Sequence, residues 1–155
     1  MADPDDTLLP PTGQFDGARH RFPVRVYFDD TDAGGIVYHA NYLRWFERAR
    51  TEMIRSLGVD QQSAITGGEG AFAVTELAIR YVKPARLGDA VIVESTVVAV
   101  GAATWRVRQV ALRGADLLAQ ADVRIGFIDP GGKARAQPRP WRTALASVLQ
   151  SERHS

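Results

Sequence analysis

The sequence predicts an α+β fold in which one long helix packs across a curved antiparallel sheet of about five strands. Apolar residues recur at helical spacing in a single long segment, and the segments after it alternate at the two-residue period of strands. Three of these alternating segments follow one another at intervals of about 12 residues, which is typical of an antiparallel meander. The apolar stripe of the helix would then be buried on one face of the sheet.

The first three elements follow from the order of apolar and polar residues. Residues 22–28 alternate and predict a half-buried strand, and the polar, glycine-rich residues 29–35 predict a loop. From Asn41 the pattern is helical until Gly58, a residue that commonly ends helices. The predicted apolar stripe consists of Tyr42, Trp45, Phe46, Ala49, Met53 and Leu57. The predicted solvent face consists of Arg44, Glu47, Arg48, Arg50, Glu52 and Arg55.

The second half of the chain predicts four further strands separated by turns. These strands are residues 71–82, 90–100, 103–113 and about 117–128. The alternation slips near Gln109, which predicts a β-bulge there. After residues 129–132 the chain is basic and contains prolines, and residues 143–150 predict a short terminal helix.

Length and pattern predict one domain with two flanking segments. A chain of 155 residues is long enough for one sizeable core and too short for two. We expect a flexible leader over residues 1–20, the folded domain over 21–130 and a basic tail over 131–155. His20 and His154 fall in these flanks and are assigned no role. An open sheet has unpaired edges, so two copies are expected to pair.

Composition excludes several classes of function. The chain has no cysteine, which excludes disulfides, thiolate metal sites and a cysteine nucleophile. A formal net charge of +1 provides no general field for binding nucleic acid or an anionic membrane. The first residues lack the pattern of a signal peptide, and no apolar run approaches the ~18 residues of a membrane span. These features predict a cytoplasmic protein with no membrane span and no nucleic-acid partner.

The segment from Tyr27 to Arg50 contains the residues best suited to chemistry. It places a carboxylate-bearing glycine loop directly before the long helix. A helix start has unpaired N–H groups and the positive end of the helix dipole, which suit a developing oxyanion. A carboxylate opposite these donors can act as nucleophile or general base on a carbonyl group. Gly34 and Gly35 allow the tight bend and close ligand approach that such a site needs. The segment therefore has the parts needed for acyl transfer.

A resemblance to a known family begins at Asp30 and continues to Tyr42, with the run DTDAGGIVYHANY. This run resembles the signature of the 4-hydroxybenzoyl-CoA thioesterase branch of the hotdog superfamily. Within that branch it is most similar to the bacterial acyl-CoA thioesterases encoded beside the Tol–Pal envelope system. The similarity continues through residues 46–53 and 81–87 and spans roughly residues 21–130. It implies a hotdog fold, in which a curved five-stranded antiparallel sheet wraps a central helix, and hydrolysis of acyl-CoA to free acid and CoA.

The resemblance also implies roles for particular residues. Asp32 matches the catalytic carboxylate, the His39 backbone N–H matches the donor to the carbonyl oxygen, and the His39 side chain matches an assisting histidine. Further substrate contacts are expected at Tyr27, Gly35, Val37, Tyr38, Tyr42, Lys83 and Arg86. The family implies no metal and no cofactor other than CoA as part of the substrate. It implies a homodimer or homotetramer with active sites at subunit interfaces, and acyl carrier protein is an alternative carrier of the acyl group.

Two positions depart from the family pattern. Phe28 stands where close relatives often have a tyrosine, so any role of that hydroxyl is absent or passes to a neighbouring tyrosine. Residues 101–104 lack the paired arginines that meet the CoA phosphates in the founding branch. Phosphate contacts would then come from Lys83, Arg86 or Arg106.

Other interpretations of these residues stay open. Asp30 is expected to orient the loop, because aspartate commonly stabilises turns through local hydrogen bonds. Glu47 is a further carboxylate on the helix, but the nearby arginines favour a solvated or interfacial ion pair. Two other functions also fit the sequence: a hotdog enoyl-CoA hydratase or dehydratase, and a non-catalytic acyl-binding or scaffold module.

Overall fold

The protein is described by a computed structural model that covers residues 8–150. Six strands and three helices follow one another within these residues. The strands are β1 (Gln14–Asp16), β2 (Arg19–Arg25), β3 (Ala71–Tyr81), β4 (Ala90–Val100), β5 (Thr104–Arg113) and β6 (Asp116–Ile128). The helices are α1 (Asn41–Ser56), α2 (Gln61–Thr66) and α3 (Arg139–Ala146). None of the helices in this described range is long and apolar enough to cross a membrane.

The strands form one antiparallel sheet in the order β1-β2-β4-β5-β6-β3. The predicted α+β class is confirmed, with six strands in the described residues instead of five. The additional strand is β1, which is too short to show a recognisable alternation and forms by pairing with β2. At one end of the sheet β2, β3 and β5 finish and β4 and β6 begin. We call this end, where Arg25 pairs with Ala90, the loop end.

α1 lies against the sheet and buries the predicted apolar stripe. Five of the six stripe residues are at most 2% exposed: Tyr42, Trp45, Phe46, Ala49 and Met53. Leu57 follows the last turn of the helix and is only partly buried. The helical spacing of these residues therefore predicted both the element and the face that it buries.

A buried polar cluster interrupts the apolar contact between α1 and the sheet. Gln109 donates from Nε2 to the Phe46 carbonyl oxygen at 2.8 Å and to Ser95 Oγ at 2.9 Å. Its Oε1 accepts a hydrogen bond from Arg50 Nη1 at 3.0 Å. The Gln109 amide is therefore fully hydrogen-bonded, as buried polar groups generally are, whereas Arg50 makes a single hydrogen bond.

Two sequence-based expectations for this cluster are wrong. Gln109 does not mark a bulge, because it keeps the alternation of β5 and faces the core; the register shift with β6 lies between Ala111 and Leu112. Arg50 does not lie on the solvent face of α1, because it is only 9% exposed. A polar residue type suggests exposure, whereas here the hydrogen bonds from distant strands allow burial.

The folded region extends beyond both predicted domain boundaries. β1 and the start of β2 lie within the predicted flexible leader, and His20 on β2 is fully buried. In the predicted tail, α3 buries Trp141 and Leu145 against the core. Both flanks therefore contribute to the domain. The remaining parts of the leader and tail, residues 1–7 and 151–155, lie outside the described residues.

β3 forms one edge of the sheet and exposes apolar side chains. Val74 is 47% exposed, Leu77 38% and Tyr81 44%. Within residues 8–150, β3 pairs on one side only, with β6. An unpaired strand with exposed apolar residues is a surface to which another strand can add.

Candidate active site

The segment between β2 and α1 folds back on itself as a small hairpin. The Asp30 carbonyl oxygen accepts a hydrogen bond from Tyr38 N at 2.9 Å, and Asp32 N donates to the Ile36 carbonyl oxygen at 2.8 Å. Gly35 turns the chain with a φ of +80°, a left-handed conformation that favours glycine. We call this segment, residues 30–38, the catalytic hairpin, after the role that is proposed for it below; its tip is exposed at the loop end of the sheet.

The entry into the catalytic hairpin differs from the predicted strand. β2 ends at Arg25, and Phe28 begins a short 3₁₀ turn instead of continuing the strand. Phe28 is 82% exposed and Tyr27 is 65% exposed, so neither lies on a buried face. Asp30 stabilises the turn, because its Oδ2 accepts a hydrogen bond from Tyr27 N at 2.8 Å. This contact gives Asp30 the structural role that was expected of it.

Asp32 presents a carboxylate at the tip of the catalytic hairpin. Its Oδ1 accepts a hydrogen bond from Gly34 N at 2.8 Å, a contact typical of aspartate in turns. Its Oδ2 has no hydrogen-bond partner among residues 8–150, and the residue is exposed. One oxygen is therefore held by the turn while the other is available to a ligand.

The backbone at the start of α1 has unpaired donors. Asn41 N donates to the Tyr38 carbonyl oxygen at 2.9 Å, and Asn41 Nδ2 donates to the Asp30 carbonyl oxygen at 2.8 Å. The N–H groups of His39 and Ala40, by contrast, have no acceptor in the described part of the chain. Ala40 precedes the helix and cannot cap it with its side chain. Two donors at the positive end of the helix dipole are thus available to a carbonyl or anionic oxygen.

His39 is exposed beside two tyrosines. The centroid of its ring lies 4.5 Å from that of Tyr38 and 6.2 Å from that of Tyr81. The Tyr81 hydroxyl donates to the His39 carbonyl oxygen at 2.8 Å. Burial, with a smaller effect of Tyr42, raises the pKa of Tyr81, so this hydroxyl stays protonated at neutral pH. The bond joins the peptide before α1 to the end of β3.

The connection between β3 and β4 supports the catalytic hairpin from below. Tyr42 is 2% exposed, and its hydroxyl accepts a hydrogen bond from Ala85 N at 3.0 Å. Val37 is 4% exposed and donates from its backbone to the Ala85 carbonyl oxygen at 2.9 Å. Burial raises the pKa of Tyr42, and the hydrogen bond from Ala85 opposes this shift. Both predicted contact residues therefore lie beneath the site, where they hold the hairpin in place.

The two basic candidates on this connection have different surroundings. Lys83 Nζ pairs with Asp116 Oδ1 at 3.2 Å, and this hydrogen bond lowers the pKa of Asp116. Arg86 is exposed and pairs through its backbone with Ile36 of the catalytic hairpin. The Arg86 guanidinium forms no salt bridge with another described residue, although its charge contributes to lowering the pKa of Asp89. Arg86 is therefore better placed than Lys83 to meet an anionic ligand near the hairpin.

Two further charged candidates lie away from the catalytic hairpin. Arg106 is on β5 and pairs with Glu76 Oε2 of β3 at 3.7 Å. Glu47 is an exposed residue of α1, and within residues 8–150 it forms no salt bridge. Arg106 is therefore not placed to bind a phosphate next to Asp32 of the same copy.

Two cavities adjoin α1. An open groove of about 770 Å³ runs beside Tyr27, Asp30 and Asn41, between the start of α1 and β2. A smaller cavity of about 200 Å³ lies between α1 and strands β3, β5 and β6. In the part of the chain that the structure describes, no group of three His, Asp or Glu side chains is placed to hold a metal ion.

The site residues expected from the sequence did not include Tyr81 beside the catalytic hairpin or Arg50 in the smaller cavity. The sequence contained a signal for Tyr81, because Tyr81 is the first residue of the family-like stretch at residues 81–87. The sequence contained no such signal for Arg50, because no neighbouring residue distinguishes it from the exposed arginines of α1. Its burial depends on Gln109, which lies 59 positions away in the chain.

The sequence matches known thioesterases along most of its length. A family model described as the thioesterase-like superfamily matches residues 26–149. Acyl-CoA thioesterase YbgC of Haemophilus influenzae is 47% identical over 125 residues, which are 80% of this chain and 92% of that protein. Acyl-CoA thioester hydrolase YbgC of Escherichia coli O157:H7 is 40% identical over 121 residues, which are 77% of this chain and 90% of that protein.

Solved structures of similar proteins have the same fold. A probable thioesterase from Bartonella henselae superimposes with a TM-score of 0.73 at 34% identity, covering 77% of this chain and 99% of that one. The 1,4-dihydroxy-2-naphthoyl-CoA thioesterase Slr0204 from Synechocystis superimposes with a TM-score of 0.78 at 27% identity, covering 83% of this chain and 96% of that one. This chain therefore belongs to the thioesterase-like superfamily and has the hotdog fold.

Proposed function

We propose that this enzyme hydrolyses acyl-CoA thioesters to the free acid and CoA. One observation carries the proposal: the unpaired Oδ2 of Asp32 lies on the same short segment as the unpaired N–H groups of His39 and Ala40. A carboxylate and oxyanion donors are the parts that acyl transfer requires. The relatives named as acyl-CoA thioesterases support CoA as the carrier of the acyl group.

The start of α1 supplies the electrostatic part of the mechanism. The thioester carbonyl oxygen accepts hydrogen bonds from the N–H groups of His39 and Ala40. Negative charge develops on this oxygen when the carbonyl carbon is attacked, and the positive end of the helix dipole stabilises it. A donor of this type typically lowers the barrier by about 3 kcal/mol.

Asp32 supplies the attacking group in one of two ways. As a nucleophile, its Oδ2 attacks the carbonyl carbon, CoA leaves as the thiolate, and water then cleaves the mixed anhydride. As a general base, its Oδ2 takes a proton from a water molecule whose oxygen attacks the carbonyl carbon while the C–S bond breaks. Both routes consume one water and release one acid and one CoA. In both, the hydrogen bond from Gly34 N holds the carboxylate in place.

Residues around Asp32 bind the two halves of the substrate. The exposed His39 ring gives a proton to the departing CoA sulfur. The Arg86 guanidinium binds a CoA phosphate, because it is exposed beside the catalytic hairpin. Gly35 and Tyr38 line the approach to Asp32, and Tyr27 lines the adjoining groove. We propose that the reaction uses no metal and no cofactor. Acyl carrier protein is the alternative carrier of the acyl group.

We further propose that two copies pair through their β3 strands. β3 runs from Ala71 to Tyr81, so antiparallel pairing about its middle residue, Glu76, places Tyr81 of one copy opposite Ala71 of the other. Because Tyr81 is bonded to His39, the catalytic hairpin of one copy then lies beside the start of β3 in the second copy. The active site accordingly lies at an interface between copies, in a homodimer or a homotetramer built from two such dimers.

The test is thiol release from acyl-CoAs by the wild-type protein and by Asp32→Asn. The protein contains no cysteine, so any thiol detected comes from the substrate. We expect Asp32→Asn to lower kcat by about 10³-fold, because the amide can neither attack nor take a proton. The melting temperature and CoA affinity should stay unchanged, because asparagine retains an oxygen for the bond from Gly34. Asp29→Asn is the matched control, since Asp29 is exposed and only three positions away.

Two outcomes would contradict the proposal. Near wild-type thiol release by Asp32→Asn would remove Asp32 from the reaction. Loss of the conjugated absorbance of an enoyl-CoA without thiol release would indicate a hydratase.

A further inference from the structure

The cavity of about 200 Å³ beneath α1 has both apolar and polar walls, and one of its lining residues is a buried cation; Thr51 and Gln61 are among the polar ones. Ile54, Phe72, Trp105 and Ile125 line it, together with Arg50. A water molecule occupies ~30 Å³ in the liquid, so the cavity has room for roughly six or seven non-hydrogen atoms. Its size and walls suit a short acyl chain, but an apolar chain alone would leave the cation without a counterion.

Arg50 is a buried cation with little compensation. It is 9% exposed, and among residues 8–150 it forms one hydrogen bond, from Nη1 to the neutral Gln109 Oε1, and no ion pair. A guanidinium has five N–H donors, and buried charges are usually paired with an opposite charge. Burial lowers the pKa of Arg50, but a guanidinium remains charged in proteins. The remaining donors are therefore suited to an anion that enters the cavity.

A second lining residue of this cavity also has an unused donor. Trp105 is 2% exposed, and its Nε1 is buried with no hydrogen-bond partner in the described part of the chain. Buried indole N–H groups usually find an acceptor. The Nε1 atom itself is inaccessible, so it gives the cavity no donor in addition to those of Arg50.

Glu47 is the one carboxylate among the lining residues, and it does not satisfy Arg50. Its negative charge raises the pKa of Arg50, which opposes the effect of burial, but no salt bridge joins the two side chains. Glu47 is exposed, so water screens its charge. Arg50 is buried, and its charge acts at short range within the cavity. The net preference of the interior is therefore for an anion.

The location of the cavity is suited to an acyl group. Ala73 and Val74 of β3 also line it, so its mouth lies at the sheet edge where a second copy is proposed to pair. That pairing places the catalytic hairpin of the second copy beside the start of this β3. An acyl group whose carbonyl lies at that hairpin can extend its distal end into the cavity.

We propose that this cavity binds the distal carboxylate of a short dicarboxylic acyl group and that Arg50 is the residue that selects it. The inference rests on the proposed thioesterase function and narrows its substrate class. The methylene groups pack against Phe72 and Ile125, and the carboxylate accepts hydrogen bonds from the Arg50 guanidinium. Such charge-assisted bonds are geometrically specific, particularly when both carboxylate oxygens take part.

The test compares two substrates of the same shape, glutaryl-CoA and 5-methylhexanoyl-CoA. They differ only in that the terminal carboxylate is replaced by an isopropyl group. For the wild-type enzyme we expect kcat/KM to be about tenfold or more higher with glutaryl-CoA, because only the carboxylate satisfies Arg50. Arg50→Met should remove this preference, because it should lower kcat/KM for glutaryl-CoA much more than kcat/KM for 5-methylhexanoyl-CoA. Arg50→Lys should keep part of the preference.

A second variant tests whether the negative charge at the rim of the cavity opposes binding of the substrate carboxylate. Glu47→Gln removes the negative charge at the rim, so it should increase the preference for glutaryl-CoA. Equal kcat/KM for the two substrates in the wild type, with release that still depends on Asp32, would overturn this inference alone. An equal decrease of kcat/KM for the two substrates in Arg50→Met would also overturn this inference alone. No thiol release from any acyl-CoA would overturn the proposed function as well. The wild-type comparison needs no variant, so the inference is testable even if Arg50→Met does not fold.

Discussion

Asp30 and Asp32 are two positions apart, but their carboxylates have different surroundings. Asp30 Oδ2 accepts a hydrogen bond from Tyr27 N, three positions before it, and its carbonyl oxygen accepts from both Tyr38 N and Asn41 Nδ2. Asp32 has one oxygen bonded to Gly34 N and one without a partner in the described residues. The same residue type is thus a structural support at one position and the proposed reactive group at the other.

His20 should make stability depend on pH. It is fully buried, and its Nε2 lies 2.9 Å from the Thr12 carbonyl oxygen, while its Nδ1 has no partner among residues 8–150. Burial lowers the pKa of His20 below its ordinary 6.5, although Thr12 and Glu52 oppose the shift. The folded state therefore keeps His20 neutral under conditions in which the unfolded state binds a proton. The contribution of His20 to the free energy of unfolding is therefore fully present above about pH 6.5 and decreases as the pH drops below that value.

We expect the free energy of unfolding to decrease below pH 6.5 by at most about 1.4 kcal/mol per pH unit from this group. Urea unfolding between pH 5 and pH 8 measures this slope. His20→Gln retains a donor for Thr12 but does not titrate, so it should flatten the slope. His39→Gln is the control, because His39 is exposed and should leave the slope unchanged. An unchanged slope in His20→Gln would refute the assignment.

At the scale of the element, α3 turns a segment expected to be a tail into part of the core. Trp141 packs with its ring centroid 5.1 Å from that of Phe72 and 5.5 Å from that of Phe127. Gln137 N donates to the Ala102 carbonyl oxygen at 2.8 Å, which attaches the chain before α3 to the β4–β5 turn. Phe72 also lines the cavity that contains Arg50, so α3 supports one wall of that cavity from outside.

We therefore expect Trp141→Ala to reduce the free energy of unfolding by about 3 kcal/mol, because it leaves a void against two aromatic rings. The measurement is urea unfolding at a fixed protein concentration, since assembly of copies adds to stability. Arg142→Ala on the same helix is the control; Arg142 is exposed, so the change should stay within about 0.5 kcal/mol. Equal, small effects of both substitutions would mean that α3 does not belong to the folding unit.

In the assembled molecule, the proposed pairing of β3 strands would complete the site. The double substitution Val74→Lys and Leu77→Lys replaces two exposed apolar residues of β3 with charges. Pairing of two such strands would bring like charges together, so we expect a monomer in sedimentation velocity. In the proposed pairing the cavity and the catalytic hairpin come from different copies, so thiol release should fall by about 100-fold or more.

Leu149→Lys is the control for this experiment. Leu149 is 42% exposed, and the next residue, Gln150, donates from its backbone to Val97 of β4, which is separated from β3 by two strands, so the variant should keep the assembly and the activity of the wild type. A wild-type protein that is both monomeric and fully active would contradict a site shared between copies. A double-lysine variant that still assembles would place the interface elsewhere.

Local patterns in the sequence were enough to predict the elements whose side chains follow a regular period and the segment that marks the family. The predicted strand at residues 90–100 has the observed limits of β4, and the stripe from Tyr42 to Met53 is buried as its spacing indicated. The run around Asp32 identified the thioesterase family. These features are local, because a period or a motif lies within one continuous stretch of chain.

Which polar residues are buried, and which oxygens and N–H groups have no partner, depends on contacts between elements that are distant in the chain. Arg50 and His20 looked exposed or unassigned in the sequence, yet they are buried by elements distant in the chain. β1 forms because β2 supplies the partner strand, and α3 because aromatic residues of β3 and β6 accept Trp141. The physical reason is that burial and hydrogen-bond pairing depend on neighbours in space, which a local pattern does not contain.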